Sequence, residues 1–206
     1  MAGRRGDLGV APVRSGVSFG RWRLQRCLGQ GEFGTTWLAA DVEGRNAAIK
    51  VLSSPPGEEL LALSRVVHPS VIGVLGGGGD PAPHLIMELA KGRALTAWLG
   101  RRPAPETTAI NITAHLADAL AAVHQAGVVH GDIKPDNVVV DSVREPRLKI
   151  VDFGLAGQQR GGTLNYAAPE CLRGAVTSPA SDVYALGMIL YEMLHGELPW
   201  AALGFS

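Results

Sequence analysis

Between Phe19 and Leu52 large apolar residues alternate with polar ones, and the run "FGRWRLQRCLGQGEFGTTWLAADVEGRNAAIKVL" is broken twice, at "GQGEFG" and at "DVEGRN". Alternation interrupted by two turn-rich breaks predicts a three-stranded antiparallel meander whose first hairpin tip is the glycine-rich loop. The pattern changes in "SSPPGEELLALSRVV", where Leu60, Leu63 and Val67 share a stripe, Ser54 is placed to cap and the prolines fall in the first turn. That combination predicts a short helix. "VIGVL" and "HLIMEL", separated by "GGGGDPAP", complete an antiparallel sheet of about five strands. Beyond "AKGR" the period becomes helical: Ile112, Leu116, Leu120 and Val123 line one face of a helix that stops at Gly127. A short β pair is expected around "NVVVD" and "LKIVD", and "SPASDVYALGMILYEMLHG", apolar on nearly every face, predicts a helix buried all round.

The elements divide the chain into a tail at 1–18, a sheet-rich lobe at 19–88 and a mainly helical lobe at 89–206, an α+β organisation. The length of 206 residues and a hydrophobic content of 46% suffice for a buried core. Nineteen basic and nineteen acidic side chains cancel, so no global field draws the chain to nucleic acid or an anionic membrane, and any phosphate must be held locally. Cys27 and Cys171 stand far apart without metal-ligand spacing, which points to a reducing, cytoplasmic setting. The N-terminal "MAGRRGDLGVAPVRSGVS" has charge but no apolar core, and no apolar run is long enough to span a bilayer, so neither signal peptide nor anchor is expected.

Three clusters carry candidate chemistry. Gly29, Gly31 and Gly34 let backbone N–H groups approach phosphate oxygens without a Cβ in the way; a strand follows them, not the helix a dinucleotide fold requires. In "AAIK", Lys50 sits on an otherwise apolar strand shortly before Glu58 and Glu59, a pairing that would aim its ammonium at phosphate. "HGDIKPDN" gathers Asp132, Lys134 and Asn137 on one loop, and "VDFG" adds Asp152 after an apolar strand. Asn137 and Asp152 offer hard oxygen donors suited to Mg²⁺.

These motifs, with "GTLNYAAPE" and "SDVYALG", occur in the order of the eukaryotic-type protein kinase family, which the chain resembles from roughly Phe19 to Trp200. Lys134, two residues after Asp132, resembles the serine/threonine branch. The resemblance implies a bilobal kinase-like fold with a five-stranded first lobe and a second lobe that stops short after the buried helix. It also implies ATP and Mg²⁺, and a protein substrate bearing Ser or Thr. Gly29 to Gly34 would cover the phosphates and Lys50 would contact them. Glu59, nine residues before His68, would pair with Lys50. Asn137 and Asp152 would hold the metal. Asp132 would take the proton of the substrate hydroxyl, Lys134 would stabilise the γ-phosphate, and Thr163 would tie the substrate-side loop to the catalytic loop. Thr36, Ala48 and Val139 would sandwich adenine, with Met87 behind it and the backbone of Glu88 and Ala90 at its edge. Leu63, Val74, His130 and Phe153 match the family's stacked internal residues, which makes His130 a packing residue.

Three departures stand out. The stretch from Lys50 to Glu59 is short, the segment from Asp152 to Glu170 is short and offers Thr163 and Tyr166 as its hydroxyls, and Gly131 replaces the arginine usual before the catalytic aspartate. Gly131 cannot read a phosphate on that segment. With the second lobe stopping short, Val183, Leu186, Leu190 and Met193 are expected to stay partly exposed, favouring self-association or completion by a partner. A nucleotide-binding scaffold without transfer, and a small-molecule phosphotransferase of the aminoglycoside or choline type, which also carries HGD followed by Asn, stay open as other readings.

Overall fold

The computed structural model describes residues 13–31, 34–55, 62–142, 147–153 and 164–200. The described residues form two compact units, one from within 13–55 and 74–89 and the other from within 62–73 and 90–200.

In the first unit, β1 (Ser18–Phe19), β2 (Trp22–Gly31), β3 (Gly34–Ala40), β4 (Asn46–Leu52), β5 (Val74–Gly78) and β6 (His84–Glu88) form one antiparallel sheet in the order β1-β2-β3-β4-β6-β5. The five expected strands are present, and two-residue β1 adds a sixth at the edge: Ser18 pairs with Arg23, and Val17 and Gly16 exchange backbone hydrogen bonds with Leu24. Pairing therefore begins before Phe19. The alternation seen in sequence places Phe19, Trp22, Leu24, Ala39, Ala47, Ile49 and Val51 in one core, with Trp37 and Ile86 packed against it. At the far end of the β3–β4 hairpin, Asp41 accepts hydrogen bonds from the Glu43 and Arg45 N–H groups and from Arg45 Nε at 2.7 Å. Burial alone would raise the Asp41 carboxyl, but these donors outweigh it and hold the group below its ordinary value.

The second unit is built on two helices, α2 (Glu106–Gln125) and α4 (Pro179–His195), joined by α1 (Leu95–Leu99), the short α3 (Pro169–Leu172) and a three-stranded sheet of β7 (Arg93–Ala94), β8 (Val138–Val140) and β9 (Leu148–Ile150). Ile112, Leu116, Leu120 and Val123 of α2 are buried, as their spacing predicts. Helix α4 starts on a capping box between Ser178 and Ser181 and ends at Gly196 in the left-handed conformation. It is not buried all round: Val183, Gly187, Tyr191 and His195, one turn apart, form an exposed stripe, and Val183 is 59% exposed. Leu190 is half-buried, whereas Leu186 and Met193, expected to be partly exposed, are buried.

Residues 62–73 group with this unit because their backbone is stitched to β9: Ile72 N–H donates to Ile150 O, Ile150 N–H donates to Ser70 O, and Val71 bridges Ile150 in parallel. His68 adds a bond from Nε2 to Asp118 of α2 at 3.0 Å, with its Nδ1 accepting from Ser70 N–H. Of the helix expected over 54–67, Ala62 and Leu63 are helical and 56–61 lie outside the described residues.

Candidate active site

The strand register decides which side of the first unit's sheet each candidate residue occupies. Thr36 pairs with Lys50 and Lys50 with Leu85, while Leu38 pairs with Ala48 and Ala48 with Met87. Paired residues, and residues two apart, share a face. Thr36, Ala48, Lys50 and Met87 therefore lie on one side of the sheet, opposite the core of Ile49 and Val51. Lys50 is nonetheless buried, which a surface lysine extending its stem into water would not be. Glu88 ends β6, paired with Ala47.

The three glycines of the β2–β3 hairpin are not equivalent. Gly34 has φ 146°, and a Cβ there would collide with the carbonyl of Val51 on β4, so the sheet itself requires glycine. Gly29 and Gly31 are exposed, and a Cβ on either would meet nothing within 4 Å. The protein's own packing leaves those two positions open to an approaching group. The strand is also irregular there, with register shifts between Leu24 and Arg26 and between Cys27 and Gly29.

In the second unit, a 3-10 turn over Pro135–Asn137 leads straight into β8. It brings Asn137 back under Asp132: Asn137 Nδ2 donates to the Asp132 carbonyl at 2.7 Å and to its carboxylate at 3.1 Å. Lys134 Nζ lies 2.7 Å from Asp132 Oδ2. Val151 N–H donates to Asn137 O at 2.9 Å, so the backbone pairing that continues the β8–β9 ladder puts Asn137 opposite Val151, with Asp152 the next residue along. Asp152 has φ 59°, a conformation uncommon outside glycine and a mark of residues held for function. Ala90 and Val139 are both half-buried, Val139 at the centre of β8. Glu59 and Thr163 lie outside the described residues.

Among the described residues no group of three or more His, Cys, Asp or Glu side chains could hold a metal. One carboxylate and one amide oxygen do fit Mg²⁺, which keeps several waters and completes its shell with substrate phosphates.

Sequence reasoning missed the clamp beneath this loop. Asp182, fully buried near the start of α4, accepts from His130 N–H and Gly131 N–H at 2.9 Å each and from His124 Nε2 at 2.8 Å. The signal was an aspartate in an otherwise apolar helix, since a buried carboxylate needs several donors. His130 accepts from Asp132 N–H through Nδ1, donates from Nε2 to Val151 O and packs on the Phe153 ring at 4.5 Å. Burial pushes its pKa down. It is thus a neutral packing residue, as the motif suggested. Tyr166 is more than a hydroxyl of the segment after Asp152. It donates to Glu192 of α4 at 2.6 Å, and burial first, then that carboxylate, raises its pKa.

An antiparallel sheet carrying a buried lysine, and a helical unit carrying an Asp–Lys–Asn loop bonded to the residue before a second aspartate, define a protein kinase domain. Residues 22–204 match the family model for the protein kinase domain, and the chain belongs to that family. It is 36% identical over 208 residues to the serine/threonine-protein kinase Pkn2 of Myxococcus xanthus, covering 88% of this chain and 25% of that protein. It is 37% identical over 221 residues to PknA of Mycobacterium tuberculosis, covering 93% and 51%. The chain thus spans about a quarter to a half of the length of these curated relatives. The crystal structure of the Mycobacterium tuberculosis PknI kinase domain matches with TM-score 0.72 and 28% identity, over 92% of this chain and 80% of that one. Rad53 residues 1–466, solved with AMP-PNP, matches with TM-score 0.75 and 28% identity, over 87% and 49%. Among the described residues no helix is long and apolar enough to cross a membrane.

Proposed function

We propose that this chain is the catalytic domain of a serine/threonine protein kinase, transferring the γ-phosphoryl group of ATP to a protein hydroxyl in the cytoplasm. The observation that carries the reading is the Asp132 cluster, a carboxylate with an ammonium at 2.7 Å and an amide at 3.1 Å, whose Asn137 is bonded through its backbone to the residue before Asp152. The substrate hydroxyl gives its proton to the Asp132 carboxylate as its oxygen bonds to the γ-phosphorus, and the bond to the bridging oxygen breaks, releasing ADP. Lys134 neutralises charge on the transferring group. Lys50 and the backbone at Gly29, Gly31 and Gly34 hold the phosphates, with Thr36, Ala48, Met87, Glu88, Ala90 and Val139 around adenine. Asn137 and Asp152 would hold Mg²⁺, which supplies neutralisation of phosphate charge. Glu59 and Thr163 keep the roles that the family resemblance gives them. Because Gly131 has no side chain to bind a phosphate, activity requires none on the segment after Asp152.

The test is incubation with γ-labelled ATP, Mg²⁺ and a generic basic protein, with choline and an aminoglycoside as parallel acceptors. Phosphoserine or phosphothreonine in the protein, abolished in Asp132→Asn with nucleotide binding kept, is the expected result. Binding without transfer would select a scaffold, and transfer only to the small alcohols would select a small-molecule phosphotransferase. Activity that disappears on phosphatase treatment of the enzyme would overturn the statement on Gly131.

A further inference from the structure

We infer that Gly131 is a positioning residue for Asp132 that acts through its backbone conformation, an inference that rests on the proposed role of Asp132. Gly131 has φ 76°, in the left-handed region. Its N–H donates to Asp182 Oδ1, while the preceding N–H, of His130, donates to Oδ2 of the same carboxylate, both at 2.9 Å. Successive N–H groups of an extended chain point to opposite sides. To converge on one anion the chain must turn between them, and a left-handed residue in such a turn makes a concave anion-binding backbone. The next N–H, of Asp132, is taken by His130 Nδ1 at 3.2 Å, and His130 is itself fixed by Val151 O. Three consecutive N–H groups are thereby committed, and the Asp132 carboxylate leaves the chain one residue after the turn. A rotation at residue 131 passes to Asp132 with no soft link between.

The conformation is itself a reason for glycine here: an L-residue at positive φ brings Cβ against its neighbouring carbonyl, Asn suffers this least and a β-branched residue most. Substitution at 131 should therefore follow backbone tolerance and not size. The missing arginine becomes a gain in backbone fit, with the N–H groups of the loop held by Asp182 and His130.

The experiment is a series of Gly131→Asn, Gly131→Ala and Gly131→Val in the full 206-residue chain, assayed below the melting point of every variant. The expected order of kcat is Gly, Asn, Ala, Val, with Ala lower by roughly five- to thirty-fold and KM for ATP within about two-fold of wild type. Melting temperatures should fall in the same order. Asn is larger than Ala, so its better tolerance separates conformation from volume. Wild-type kcat in Ala and Val, Asn as the worst of the three, or a loss carried by KM for ATP would each overturn the proposal. If the wild-type chain transferred no phosphate at all, the functional reading would fail, while the melting order would still decide the backbone claim.

Discussion

The tip of the β2–β3 hairpin and the loop from His130 to Asn137 both combine glycine with candidate phosphate chemistry, and they hold it by opposite means. At the hairpin, Gly29 and Gly31 are exposed with open space where a Cβ would stand, and the strand register slips on the approach to them. At the loop, the N–H groups of His130, Gly131 and Asp132 all have buried partners and Asn137 is bonded back to Asp132. Under the proposed roles, the difference follows from what each would hold. A group that covers phosphates has to admit and release a ligand, so its donors stay available. A base has to meet a hydroxyl within a few tenths of an ångström, so its backbone is over-determined by the fold.

The largest break in this comparison comes from removing the clamp. Asp182→Ala leaves buried N–H groups of His130 and Gly131 without an acceptor and should cost about 3–5 kcal/mol, a cost of the order of that for breaking a buried charged network. Denaturant unfolding measures it; a loss below about 1 kcal/mol would mean that the loop is not held by Asp182.

The hairpin glycines should split in kind. Gly34→Ala drives a Cβ into the Val51 carbonyl and should destabilise by about 1–3 kcal/mol. Gly31→Ala should leave stability within about 0.5 kcal/mol, since nothing lies nearby. Its effect belongs on nucleotide affinity, read by titration with ATP and Mg²⁺. Equal melting temperatures for the two variants would show that the glycines are interchangeable after all.

Acid separates the two units in a further way. His130 is depressed by burial, so below its ordinary value of 6.5 the unfolded chain takes up a proton that the native chain refuses, and stability falls as pH drops through that point. Asp41, also depressed, contributes stability above its ordinary value of 3.8 that is lost as pH falls further. An unfolding series should therefore show a first decline near pH 6 that His130→Phe removes, and a second, smaller one in the carboxylate range that Asp41→Asn reduces. A flat profile between pH 7 and pH 5 would contradict the buried neutral state of His130.

Alternation and period were enough to place most of the architecture. Phe19, Trp22, Leu24, Ile49 and Val51 fall into one core, and Ile112, Leu116, Leu120 and Val123 into one helix face, because burial imposes a period that the sequence must carry. Strand β1 was not legible, since two residues carry no period. Helix α4 misled for a related reason: its composition is apolar all round, but Val183 and Tyr191 are on the exposed stripe while Leu186 and Met193 are buried, a distinction that composition does not carry.

By itself, the sequence grouped Asp132, Lys134, Asn137 and Asp152 as candidates for one chemistry, because their types, order and spacing are local properties of the chain. Tertiary structure alone decided that Asp182, 50 residues beyond Asp132, would accept the N–H groups that set the catalytic loop. It also decided that Lys50 would face the side of the sheet shared by Thr36 and Met87. The physical reason is the same in both cases: burial makes a polar group find partners, and where those partners stand depends on strand register and helix packing, which no local window of residues encodes.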